Sequence, residues 1–215
     1  SWMFANAMRH GVELTDELRD LLEVACQYDR SPVIPREQLL QARDSMLAAP
    51  MGDRRDSHWG WKEPNSHVLL PQLDRSFPQM KFVYVMRNGL DMAFSDNHNQ
   101  LQYFWGDLIL EGDTSPTPQN LLRYWIAAHR RMQGFRQRLG DRLHFLSFDR
   151  LCQDPEGELE ALREFAGIQI SKKDIVQLAQ NVSPPRSMGR FRKQDLSVFD
   201  PADIEFVRQL GFDVE

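Results

Sequence analysis

Two short stretches carry residues able to do chemistry. The first is "KFVYVMRNGLDMAFS", in which five apolar residues, Phe82 to Met86, run straight into Arg87, an Asn88-Gly89 turn and then Ser95. A buried strand ending on arginine sets a planar cation at its carboxyl edge, where it suits bidentate contact with a phosphate. Ser95, on the second turn of the helix expected there, offers a hydroxyl to the same oxygens. The helix N-terminus near Gly89 and Leu90 adds backbone donors and a dipole. The plainer alternative is an Arg87–Asp91 surface ion pair, with Ser95 an ordinary helix residue. The second stretch is Lys62-Glu63-Pro64, a cation beside a carboxylate at the end of an extended segment.

The elements that position these groups follow from periodicity and caps. Val12 to Tyr28 and Pro35 to Ala48 read as helices, the second with Pro35 in its first turn. "HWGWKEP" is short and extended, and Asn65 or Ser66 caps a helix toward Leu73. Phe82 to Met86 reads as a fully buried, central strand, followed by a helix from about Leu90 to Leu101. "GDLILEGDTSPTP" reads as a loop. Gln119 to Leu139 is a long helix with a stripe of Leu122, Trp125, Ile126 and Met132, ended by Gly140. "RLHFLSF" is a further strand. Helices follow at "DPEGELEALREFAGI", capped by Asp154, near Lys172 to Gln180, and at "DPADIEFVRQLGF". "NVSPPRSMGRFRKQDLSVFD" between the last two reads as a basic loop. Strands alternating with helices predict a parallel sheet with crossover helices, and ligands then bind outside the strands' carboxyl ends. That rim receives Lys62, Arg87 and Phe148.

The bulk properties bound the function. The chain has 215 residues, 41% of them hydrophobic, enough for one α/β domain with a sizeable core. A formal charge of -5 argues against a general nucleic-acid binder. Basic residues are nonetheless clustered. Arg123, Arg130, Arg131, Arg136, Arg138 and Arg142 crowd one stretch, where a solvated helix face is the simpler explanation. Arg186, Arg190, Arg192 and Lys193 crowd another. Such clusters let an acidic protein hold a small polyanion. Two cysteines with no metal spacing suit a reducing compartment, and no apolar run reaches membrane-spanning length. With no secretory signal at the start, the expectation is a cytoplasmic protein without a membrane span.

"WKEPNSHVLLPQLDRSFPQMKFVYVMRNGLDMAFS" resembles the sulfotransferase family. The family pattern is Lys-x-Pro, a helix, "FP-x-x-K-F-[VI]" and a strand ending in "R-[ND]-x-x-D-x-x-x-S", and each part is present. "LHFLSFDRLCQDPEGELEALREFAGI" resembles a second family block, and "SMGRFRK" is similar to the late loop "G-x-[WF]-[RK]". The resemblance implies a three-layer α/β/α fold with a parallel sheet, related to the P-loop nucleotide kinases. It implies transfer of a sulfuryl group from 3′-phosphoadenosine 5′-phosphosulfate (PAPS) to a hydroxyl or amine, leaving adenosine 3′,5′-bisphosphate and needing no metal.

Residue by residue, the resemblance makes Arg87 and Ser95 ligands of the nucleotide's 3′-phosphate. Arg190, Arg192 and Lys193 belong to a loop able to close on it, and Phe148 falls where the family places an aromatic near the adenine. Lys62 would approach the bridging oxygen and the sulfonate. Glu63 is the candidate base, with His67 and His98 as runners-up. Trp59 and Trp61 line a pocket or pack in the core. The family's first strand and phosphate loop, "P-[RK]-S-G-T-[TS]", is not found ahead of Lys62. The expectation is therefore one sulfotransferase-like domain over 1–215 lacking that element. A non-catalytic module that binds the bisphosphate or a partner is the rival. A nucleotide kinase is disfavoured, since no Walker-type lysine loop is visible. The acceptor, a small molecule or a glycan, would meet variable segments such as Gln102 to Pro118. Its identity, and the oligomeric state, stay open.

Overall fold

The computed structural model describes residues 20, 24, 27, 60, 62, 64, 66–98, 101 and 105–215. The chain divides into two compact units, Ser1–Met80 and Lys81–Glu215. In the first, Asp20 and Val24 are helical, as the helix predicted from Val12 to Tyr28 requires, but Gln27 is not. The helix predicted from Pro35 to Ala48, with Trp59, Trp61 and Glu63, lies outside the described residues. Helix α1, Leu70–Ser76, has Pro71 in its first turn. It follows a turn of buried residues that includes His67 and Val68.

The second unit is built on two parallel strands, β1 (Phe82–Met86) and β2 (Leu143–Ser147), in register from Phe82↔Leu143 to Met86↔Ser147. Between them run α2 (Gly89–Ala93), α3 (Trp105–Ile109) and α4 (Pro118–Leu139). After β2 come α5 (Phe148–Gln153), α6 (Pro155–Ala166), α7 (Lys172–Ala179) and α8 (Pro201–Gln209). Two 3-10 turns, Arg190–Lys193 and Leu196–Val198, lie between the last two helices.

Local chemistry sets most of these boundaries. Thr117 accepts the Asn120 N–H ahead of Pro118, and Asp154 accepts the Gly157 N–H ahead of Pro155. Ser171 and Asp174 cap each other's backbone, and Asp200 opens α8 before Pro201. Gly140 ends α4 at φ +54°, a conformation that favours glycine. The predicted stripe of α4, Leu122, Trp125, Ile126 and Met132, is buried. It shares a core with Leu90, Phe191, Phe199, Val207, Phe212 and Val214. Burial of this apolar surface is what holds α2, α4, α8 and the C-terminal residues together.

Five expectations are corrected. β1 is not fully buried: Val83 is 37% and Val85 54% exposed, while Phe82, Tyr84 and Met86 turn inward. Tyr84 meets Phe145 and the α4 residue His129 edge-on, so α4 covers that face. The other face carries His144, stacked on Phe165 of α6 at 5.0 Å, and leaves the two valines open. Among the described residues β1 is one of a pair of strands rather than a central strand. The helix expected to run to Leu101 stops at Ala93, where Phe94 turns its ring onto Phe199 at 5.4 Å. Trp105–Ile109, expected in a loop, is helical, and Phe148 opens a helix that the sequence reading missed.

Candidate functional site

The site is built where β1 ends. Gly89 follows Asn88 so closely against Trp125 that a Cβ there would lie 2.8 Å from the indole, hence a residue with no side chain. The indole Nε1–H donates to the Arg87 carbonyl at 3.2 Å and fixes the strand end from below. Asn88 is buried, and its Oδ1 accepts from the Leu90 N–H at 2.9 Å. Its Nδ2 donates to the Asp213 carbonyl at 2.6 Å, and its backbone N–H donates to Asp149 Oδ2 at 3.1 Å. Of the two amides expected to add donors here, that of Leu90 is already taken by Asn88, at the start of a helix of five residues. The anion-holding capacity lies in side chains.

Arg87 lies half-buried over the Phe148 ring, 5.2 Å from its centroid. Its Nη2 donates to Ser187 Oγ at 3.1 Å. Arg190 donates from Nε to the Ser187 carbonyl at 3.2 Å and from Nη1 to the Phe94 carbonyl at 3.1 Å. The Phe94 carbonyl is accessible to Arg190 because α2 stops just before it. Ser95 is the next residue, in the turn beyond α2 rather than on a helix, and its Oγ accepts from the Asn97 N–H at 3.2 Å. Arg87 and Arg190 thus meet at Ser187, and Phe148 lies against Arg87; Ser95 is brought near only as the neighbour of Phe94 in the chain.

Electrostatics favour an external anion here. Among the described residues Arg87 forms no ion pair within 4.0 Å, although it feels the charge of Asp149. The expected alternative partner, Asp91, is buried and faces the late loop, accepting from the Gly189 N–H at 2.7 Å and the Phe191 N–H at 3.2 Å. Burial pushes the Asp149 carboxyl above its usual range; the Asn88 N–H opposes this, the Asp91 charge adds to it, and Arg87 opposes it. The donor set of two guanidinium groups and the Ser187 hydroxyl beside an aromatic face suits a phosphate-bearing, ring-bearing ligand.

The other expected residues are placed differently. Arg192 does not join the cluster: it pairs with Asp213 and donates from Nε to the Glu215 carbonyl at 2.7 Å. The C-terminal residues hold it there, because Phe212 and Val214 are buried in the core on either side of Asp213. Lys193 is exposed at the end of the same turn. Lys62 belongs to the first unit and is exposed, and Glu63 lies outside the described residues. His67 is buried, its Nδ1–H donating to the Pro64 carbonyl at 2.9 Å, which is a structural arrangement. His98 is half-buried. A separate recess at the amino end of β2, lined by Arg136, Gly140, Asp141, Leu143, Glu164 and Phe165, touches none of the candidate residues. Its mixed charges and shallow walls suit a polyanion less well than the carboxyl edge does. No cluster among the described residues is arranged to hold a metal ion.

Sequence reasoning missed Ser187 and the task of Asp91. Both had a signal: Asp91 is the acidic residue of the "R-[ND]-x-x-D-x-x-x-S" pattern, and Ser187 opens "SMGRFRK".

Compared with known proteins, residues 5–172 match the family model described as "Sulfotransferase family". No curated protein and no solved structure matches the chain. The matched stretch contains Lys62, Arg87, Ser95 and Phe148. Ser187 and Arg190 lie beyond it, so their place at the strand end comes from the fold alone.

Proposed function

This chain belongs to the sulfotransferase family, and on that premise we propose that it moves a sulfuryl group from PAPS to an acceptor hydroxyl or amine. One observation carries the choice of donor. The Arg87–Phe148–Ser187–Arg190 cluster sets two guanidinium groups and an aromatic face at the carboxyl edge of β1. On this reading the two parallel strands, with α4 against one face and α6 against the other, would belong to a three-layer P-loop-like sheet.

In this assignment Arg87, Ser95, Ser187 and Arg190 hold the 3′-phosphate, and Phe148 lies beside the adenine. Arg192 and Lys193 flank the loop. The acceptor oxygen or nitrogen forms its bond to sulfur while the bond from sulfur to the nucleotide's phosphate oxygen breaks. The bisphosphate departs, and the acceptor's proton passes to a base. Lys62 is assigned to the charge that grows on the departing oxygen, and Glu63 to the proton. The acceptor is a small molecule or a glycan. No described helix is long and apolar enough to cross a membrane, and a cytoplasmic setting, where PAPS is available, is part of the proposal.

The test is transfer of radiolabelled sulfate from PAPS across a panel of phenols, alcohols, amines and sugars, with calorimetry of the bisphosphate product alongside. Sulfation of at least one acceptor, with tighter binding of the bisphosphate than of AMP, is the expected result. Binding without transfer to any acceptor would instead establish a non-catalytic nucleotide-binding module. Absence of both would remove the PAPS assignment.

A further inference from the structure

We propose that Asp91 is a positioning residue of the anion site: its carboxylate fixes the 187–191 turn and so sets Ser187 and Arg190 beside Arg87. This deepens the nucleotide assignment made above and rests on it.

Asp91 is 3% exposed, and a carboxylate so placed is costly unless hydrogen-bonded. Both of its oxygens are used on one short stretch. Oδ2 accepts from Gly189 N and Oδ1 from Phe191 N, residues 98 and 100 positions away in sequence. The two held amides flank Arg190, whose backbone is thereby pinned on either side. Phe191 adds a third restraint, its ring 1% exposed in the core beside Leu90 and Trp125. Gly189 adds a fourth: it sits at φ +73°, where a Cβ would also run into the Arg192 side chain.

The consequence is felt at the strand end. Asp91 lies four residues after Arg87, on the helix that β1 feeds. Fixing the turn to that helix fixes it to Arg87. Ser187 Oγ then meets the Arg87 guanidinium, and Arg190 spans from Ser187 to Phe94 beside Ser95. Because the Asp91 charge is directed at backbone amides, it does not neutralise Arg87. One carboxylate therefore assembles donors from two distant parts of the chain and leaves the cation available.

Asp91→Asn tests this, since the side-chain amide keeps the size but replaces one acceptor oxygen by an NH2 group. Calorimetry with adenosine 3′,5′-bisphosphate and with AMP would be combined with amide hydrogen exchange on the ligand-free protein. The expected result is about tenfold weaker binding of the bisphosphate and less than about twofold for AMP, the scale of one or two lost donors. Exchange at the Gly189 and Phe191 amides should accelerate in the same variant. An unchanged ratio of the two affinities, or unchanged exchange at both amides, would overturn the proposal. Ser187→Ala covers the case in which Asp91→Asn does not fold. It should weaken the bisphosphate about three- to tenfold with exchange unaltered, and wild-type affinity would overturn the claim that the turn delivers a ligand group. If the wild-type protein itself does not distinguish the two nucleotides, the nucleotide assignment falls. The exchange data then decide the clamp alone: acceleration retains Asp91 as the anchor of the turn, and its absence removes it.

Discussion

Arg87→Ala is the most informative perturbation of the site. The guanidinium has five N–H donors, and one nitrogen is directed at Ser187. The remaining donors, with no carboxylate in pairing distance among the described residues, are available to a phosphate. A hydrogen bond to a charged group contributes about 1.5–3 kcal/mol. At about 1.4 kcal/mol per factor of ten, the variant should bind adenosine 3′,5′-bisphosphate roughly ten- to a hundredfold more weakly. AMP, which lacks the 3′-phosphate, should bind with nearly unchanged affinity. Folding should suffer little. The stacking on Phe148 at 5.2 Å is worth about 0.5–1 kcal/mol at a half-exposed site, so the melting temperature should fall by no more than about 4 °C. Arg87→Lys keeps the charge and loses the fork and the flat face, and should fall between wild type and alanine. Titration calorimetry with both nucleotides measures all of this. Equal affinity of the wild-type protein for the two nucleotides refutes the reasoning, as does an alanine variant that loses both in equal measure.

Three further outcomes are expected. Gly89→Ala places a Cβ 2.8 Å from the Trp125 ring and should cost about 1–3 kcal/mol in urea unfolding; a wild-type midpoint would show that the indole yields freely. Asp149→Asn should change the pH dependence of stability. Burial raises the Asp149 pKa in the folded protein, so the folded state holds the proton more tightly than the unfolded chain, and ionisation lowers stability as pH rises out of the ordinary carboxylate range. Asparagine can still accept the Asn88 N–H, so its stability relative to wild type should rise with pH through that window and then level off. Urea midpoints at several pH values check it, and a flat difference contradicts it. Lys62→Ala should lower sulfate turnover more than nucleotide affinity, because charge on the departing oxygen is greater in the transition state. Wild-type-like turnover in the transfer assay would take Lys62 out of the chemistry.

The sequence determined by itself what depends on a few neighbouring residues. The caps at Thr117, Asp154, Ser171 and Asp200, the stop at Gly140 and the buried stripe of α4 all follow from side chains bonding their own backbone or repeating on one helix face. The β1 strand and Arg87 at its end were legible for the same reason, and the spacing from Lys62 to Ser95 carried the family. Tertiary structure decided what depends on partners far along the chain. That α2 stops at Ala93 reflects the Phe94 ring meeting Phe199, a contact no local propensity encodes. That β1 bares Val83 and Val85 follows from which face α4 and α6 cover. Arg190 and Arg192, two residues apart in one basic turn, look alike in sequence. The first reaches the strand end, while the second is turned onto Asp213, because Phe212 and Val214 bury the C-terminal residues beside it. Ser187 meets Arg87 across 100 residues for the same kind of reason. Burial of Phe191 and the amide contacts of Asp91 bring the turn there, and a hydrogen bond between distant residues forms only where the packed core has already brought its two ends together.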